Sequence, residues 1–202
     1  MTDNPTATQQ APQRSNRTLW ILILVFVVPI VGAYAYFFLV DDYEMGNHGD
    51  LIQPVVQIET LHISDENGEP QSRDELIHIW KMMLVTDGDC SGDCKQALYY
   101  MRQINTALGK NSNRFKHMLI HTAPMSDELR TLVETEYPDT LHGYASMTTL
   151  SEAFPEMTSP EGANAIYIMD PLGNVMMRFP VGIPPKMILK DLNRLLKISR
   201  IG

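Results

Sequence analysis

Hydrophobic and polar positions change rhythm several times along this chain, and each change marks an element. Leu19 to Val40 is a continuous apolar run without a charged residue, of the length that crosses a bilayer as one helix. Beyond it, Val55–Ile63 reads as a strand leading into Asp65-Glu66-Asn67-Gly68, where Asn-Gly signals a tight turn. Lys81–Thr86 predicts a short buried strand, and a helix follows from about Gly92 to Leu108, stopped near Gly109. Phe115–Thr122 predicts another strand, after which Ser126-Asp127-Glu128 caps a helix reaching about Glu136, ahead of Pro138. Leu141–Ser146 and Met147–Phe154 predict a short strand and a short helix. Ala165–Asp170 and Asn174–Phe179 pair as a hairpin about Asp170-Pro171-Leu172-Gly173. Pro185–Ser199 closes the pattern as a helix whose stripe of Met187, Ile188, Asp191, Leu192, Leu195 and Leu196 is mainly apolar.

Alternating strands and helices that end in a hairpin and a helix predict an α/β, thioredoxin-like fold preceded by a single N-terminal transmembrane helix. The expected division is a disordered tail over 1–18, the membrane anchor over 19–40, a tether over 41–53 and the thioredoxin-like domain over 54–202. Pro29 and Gly32 are tolerable inside a membrane helix. The apolar run exceeds the core of a cleaved signal peptide, and Asp41-Asp42-Tyr43 is not a small-residue cleavage site, so the anchor is expected to stay. Arg14 and Arg17 precede the span, whereas Asp41, Asp42 and Glu44 follow it. Positive residues stay cytoplasmic, which places the N-terminus inside and the domain outside, in the periplasm of a Gram-negative cell. A net charge of −8 argues against nucleic acid as a partner.

Both cysteines of the chain lie in Cys90-Ser91-Gly92-Asp93-Cys94, between a strand and a helix. Such a pair can close into a disulfide or chelate a soft metal, and a nearby helix N-terminus stabilises a thiolate. Small buried cysteines are common, but a polar Asp/Gly/Ser loop is a poor place to bury them. The loop they enclose is too short for a useful structural staple. Outside the cytosol, where disulfides persist, that favours redox or metal chemistry at Cys90 and Cys94. In dithiol exchange, Cys90, ahead of the helix, is expected to be the exposed attacking thiol, and Cys94, one turn on, the resolving one. Asp87, Asp89 and Asp93 surround the pair and raise thiol pKa values against the helix terminus; Asp87-Gly88-Asp89 reads best as a solvated turn.

At these residues the chain resembles the Sco/SenC family of membrane-tethered, thioredoxin-fold proteins that help copper reach cytochrome c oxidase. The resemblance rests on Leu61-His62-Ile63-Ser64-Asp65-Glu66-Asn67-Gly68-Glu69-Pro70, on the C-x-x-x-C spacing, on Tyr167-Ile168-Met169-Asp170-Pro171-Leu172-Gly173 and on the apolar N-terminal segment. It implies copper as cargo, an oxidase subunit or another assembly factor as partner, and attachment to the inner membrane. The prolines that the family usually places between and after its cysteines are here Ser91 and Lys95, and its metal-binding His falls on Gly162. The Pro that precedes the corresponding strand in thioredoxin-type reductases is absent from Ala163-Asn164.

A substitute third ligand has to come from one of six histidines. His121, at the carboxyl end of a central strand, is the best placed, and an imidazole with two thiolates suits copper or zinc; alternatively it only closes that strand against a helix. His142 is a weaker candidate, His62 and His78 read as structural, His117 lies at the opening end of its strand, and His48 belongs to the tether. Met82, Met83, Met118, Met169, Met176 and Met177 fall in predicted strands and read as core filling rather than soft copper ligands. The same residues also allow a general periplasmic thiol–disulfide oxidoreductase, or an assembly factor that binds a partner without catalysis.

Overall fold

The computed structural model describes residues 16–39, 46–159 and 162–199. The chain forms two compact units, Met1–Met45 and Gly46–Gly202. In the first, α1 (Arg17–Leu39) contains Pro29. Its stretch Leu19–Tyr36 has a mean hydropathy of 2.4 and buries none of its residues, which makes it long and apolar enough to cross a membrane. Most of the expected tail, and residues 40–45 of the expected tether, lie outside the described residues.

The second unit is a six-stranded sheet with helices on both faces. Its strands are β1 (Asp50–Gln57), β2 (Trp80–Thr86), β3 (Phe115–His121), β4 (Leu141–Tyr144), β5 (Ile166–Met169) and β6 (Asn174–Phe179). Across the sheet they run β1-β6-β5-β2-β3-β4. β2, β3 and β4 are parallel, whereas β5, β6 and β1 pair antiparallel. The helices are α2 (Arg73–Leu76), α3 (Asp93–Ala107), α4 (Asp127–Glu136), α5 (Met147–Ala153), α6 (Pro155–Thr158) and α7 (Pro185–Ile198). β2 is central because both its faces are apolar. Trp80, Met82 and Leu84 pack with Leu98, Met101 and Leu192, while Met83 packs on the other face with Met118, Leu150 and Tyr167. Five of the strand methionines singled out above (Met82, Met83, Met118, Met169 and Met177) are at most 1% exposed, so they fill the core as expected.

Most predicted elements stand within a residue or two of their expected limits, and Ser126 caps α4 by accepting from the Leu129 N–H at 3.2 Å. The first strand differs. It spans Asp50–Gln57 and not Val55–Ile63, and Ile58–Leu61 turns into the core as a 3-10 helix. Pro54 sits inside this strand, at the sheet edge and within the register shift between Leu51 and Val56, where a missing N–H is tolerated. The second unit accordingly includes residues before Pro54. His48 is also not a free tether residue: its backbone N–H and ring Nδ1 meet the Asp191 carboxylate of α7 at 2.6 and 2.9 Å, and the Gly49 N–H reaches it at 3.1 Å. Asp191 interrupts its apolar stripe for this reason. Lys81, fully buried on β2, donates from Nζ to the Leu76 carbonyl, and burial lowers its pKa to about 8.

Candidate functional site

The carboxyl ends of β2 and β3 lie side by side, with Thr86 opposite His121 in the parallel register. The chain leaving β2 is pinned at once. The Thr86 hydroxyl donates to the Asp89 carbonyl, and the Ser126 N–H donates to the Gly88 carbonyl at 2.7 Å. Gly88 adopts φ +93°, and a Cβ there would collide with the Pro124 carbonyl. Asp89 Oδ1 then accepts the Cys90 N–H at 2.8 Å, and the Cys94 N–H donates to the Ser91 carbonyl at 3.0 Å, opening α3. With the backbone groups met inside the loop, Asp87, Asp89, Ser91 and Asp93 face outward and the two cysteines turn inward.

Cys90 and Cys94 form a disulfide with Cα atoms 5.2 Å apart. Their residues are only 3% and 4% exposed and pack into the same core as Ala97 and Leu98. This corrects two expectations: the polar loop does bury its cysteines, and Cys90 is not an exposed thiol. A groove of about 350 Å³ approaches the pair, and Cys94 lines it together with Thr86, Asp87, Asp89, Met147 and Asn164.

His121 is fully buried. Its Nε2 lies 3.0 Å from His142 Nδ1 with the two rings stacked, and the Tyr144 ring is 4.9 Å away between centroids. Among the described residues its Nδ1 has no hydrogen-bond partner. Burial, then the neighbouring His142 and Arg130, push its pKa down to about 4, against a small opposing effect of Glu66. It lines a second cavity, of about 830 Å³, with Glu66, Arg130 and Tyr144; the first two form an ion pair at 2.5 Å. Among the described residues no group of three or more His, Cys, Asp or Glu side chains is placed to hold a metal ion. The structure therefore engages His121 with His142 and not with the two sulfurs as a third ligand. His117 bonds the Met101 carbonyl at 3.1 Å, and His62 and His78 occupy left-handed backbone positions at φ +47° and +74°.

Gly162, where the Sco/SenC pattern has its His, is closed to any side chain. A Cβ there would overlap the Glu156 carbonyl and come within 2.6 Å of the Tyr167 hydroxyl. Reading the sequence missed Met147, Asn164 and Tyr144 as site residues. Only the third had a signal, two residues beyond His142 on the same strand face.

Residues 80–199, more than half of the chain, match the family model described as transmembrane-like, thioredoxin-like, C-terminal domain. The chain belongs to that family. Comparison with curated proteins by sequence gives no match. Among solved structures, this member of the transmembrane-like, thioredoxin-like family is similar to yeast Sco1 with copper bound, at TM-score 0.55 and 13% identity over 76% of this chain and 95% of that one. It is similar to apo Sco1 from Thermus thermophilus at TM-score 0.56 and 12% identity, over 74% and 97% of the two chains. BsSco, a member of the Sco family of cytochrome c oxidase assembly proteins with an identified disulfide switch, gives TM-score 0.50 and 14% identity over 72% and 96%. The fold expected from the sequence resemblance is thus the fold observed.

The buried His121 predicts acid lability. Because its folded pKa of about 4 lies below the ordinary 6.5, the unfolded chain binds a proton that the folded one refuses as pH falls through that interval. Stability is then lost between those values and not above them. Urea midpoints at pH 7.5 and 4.5 are expected to differ less for His121→Leu than for the wild type; equal differences would remove His121 as the cause.

Proposed function

We propose that this is a membrane-anchored thiol–disulfide exchange protein that assists cytochrome c oxidase assembly, with its N-terminus cytoplasmic and its domain in the periplasm. One observation carries the reading: the single Cys90–Cys94 disulfide closes a loop of sequence separation 4 at the start of α3. Such a bridge staples little, and its sulfurs sit at the strand-end position where open α/β sheets place their chemistry. The Sco fold, and the disulfide switch and oxidase-assembly role of BsSco, support the client class. In the reduced state the two thiolates are soft donors suited to Cu(I), so copper relay by the same pair is the alternative reading. The site favours thiol exchange over copper carriage, because Gly162 admits no ligand and His121 is taken up by His142.

Anaerobic titration of the reduced full-length protein with Cu(I) against a competing chelator separates the two, with Cys90→Ser/Cys94→Ser as control. Binding no tighter than the control is expected, together with a disulfide potential in the catalytic range, roughly −120 to −270 mV. Tight one-equivalent binding lost in the control would establish copper relay instead. A potential below about −300 mV marks a structural bridge and would remove the exchange reading.

A further inference from the structure

We infer that Cys94, not Cys90, is the sulfur that exchanges with the client, and that the client enters as an extended, positively charged, cysteine-bearing segment through the groove beside the first turn of α3. The inference deepens the exchange reading and rests on it. Position in sequence favours Cys90, which precedes the helix. The folded loop reverses that order. Both cysteines turn into the core, at 3% and 4% exposure, with Thr86, Asp89 and Ser126 holding the loop that carries Cys90, but it is Cys94 and not Cys90 that lines the groove.

The groove has the character of a seat for a peptide. Its far wall is the segment before β5, where Asn164 takes φ +59°, a left-handed turn position that Asn tolerates better than most residues other than glycine. Gly162 packs that segment against α6 without room for a Cβ. Met147, 49% exposed on the rim, offers a flexible apolar contact of the kind that adapts to varied partners. Asp87 and Asp89 line the groove and, among the described residues, no Lys, Arg or His does, so complementarity calls for a cationic client.

The chemistry balances with the client as the only co-reactant. A client thiolate attacks Cys94 Sγ, the Cys90–Cys94 bond breaks, and Cys90 leaves with the electron pair as a thiolate. The client is now joined to Cys94. Its second thiolate attacks the client's own sulfur in that mixed disulfide, and Cys94 leaves in turn. The client dithiol has become a disulfide, the protein disulfide has become a dithiol, and the two client protons pass to solvent or to the new thiolates. In the opposite direction the reduced protein's Cys94 attacks a client disulfide and Cys90 releases the product, so the same sulfur carries the client both ways.

Two single-cysteine variants of the full-length protein in detergent, Cys90→Ser and Cys94→Ser, test this against cystamine, a small dicationic disulfide. Mixed-disulfide formation is followed by mass spectrometry across pH, so that thiolate reactivity is separated from thiol pKa. The Cys94 thiolate left in Cys90→Ser is expected to react about tenfold faster than the Cys90 thiolate left in Cys94→Ser. Adding Met147→Trp on the groove rim should slow the first reaction and leave the second unchanged. Equal rates, or a faster Cys90, overturn the assignment, as does indifference of Cys94 to Met147→Trp. The wild-type protein in the same assay keeps the two levels apart. If reduced wild type is oxidised by cystamine and the order of the sulfurs is wrong, only this inference falls. If the wild-type pair does not exchange, the exchange reading falls with it.

Discussion

Gly162→Ala is expected to destabilise the domain by about 3 kcal/mol or more, at the upper end of what overpacking costs. The reason is space. The Gly162 N–H donates to the Ser159 carbonyl at 3.0 Å, and its own carbonyl accepts the Tyr167 hydroxyl at 3.2 Å and the Ala165 N–H at 3.1 Å. An added methyl must displace the Glu156 carbonyl of α6 or break this set, and Tyr167 is fully buried beside it. Stability lost at this level lowers the melting temperature by roughly 6–12 °C in a chain of this size. Gly46→Ala is the control, because no atom of the described residues stands within 4 Å of its Cβ position, and it is expected to melt with the wild type. The same crowding predicts that Gly162→His does not supply a metal ligand but misfolds the segment before β5. A Gly162→His protein that melts normally and binds Cu(I) more tightly than wild type would contradict this account.

How far the sequence could be read depended on whether a local rule or a distant contact set the outcome. α4 was legible to the residue because Ser126, Asp127 and Glu128 are a local cap. The β5–β6 hairpin was legible because Asp170 holds its own turn, accepting the Leu172 and Asn174 N–H groups at 2.9 Å. β1 was not, because its limits are set by β6, more than a hundred residues on, and by an edge position that accepts Pro54. At the site, the spacing of Cys90 and Cys94 allowed either a disulfide or a soft-metal pair, and the structure has the disulfide. Their burial depended on Pro124 and Ser126 closing over Gly88, a contact between two separate strand-end loops that no local pattern encodes. His121 was placed correctly at its strand end; its partner His142 depended on the register of β3 with β4.

Asp191→Ala is expected to cost about 3 kcal/mol, near the loss seen when one member of a buried polar pair is removed. Asp191 is 4% exposed, and its carboxylate collects the His48 N–H, His48 Nδ1 and the Gly49 N–H. Without the acceptor two backbone donors are left facing α7, and burying an unmet donor costs about 1–3 kcal/mol. They cannot simply be swung into water while the packing stays intact, because Gly49 lies against Phe179 and Met177 so closely that a Cβ would come within 2.6 Å of the ring. Asp191→Asn keeps one carbonyl oxygen and sets an amide N–H against a donor, so it is expected to fall between Ala and wild type. Urea unfolding measures the loss, and hydrogen exchange at Gly49, Asp50 and Ile52 shows where it acts. Fast exchange confined to these amides means that residues 46–52 peel from the sheet edge while the disulfide site holds. Faster exchange in β2 as well means that the His48–Asp191 contact holds up the whole domain. Ala and wild type unfolding within about 0.5 kcal/mol of one another, the range of ordinary surface substitutions, would show that the contact contributes nothing.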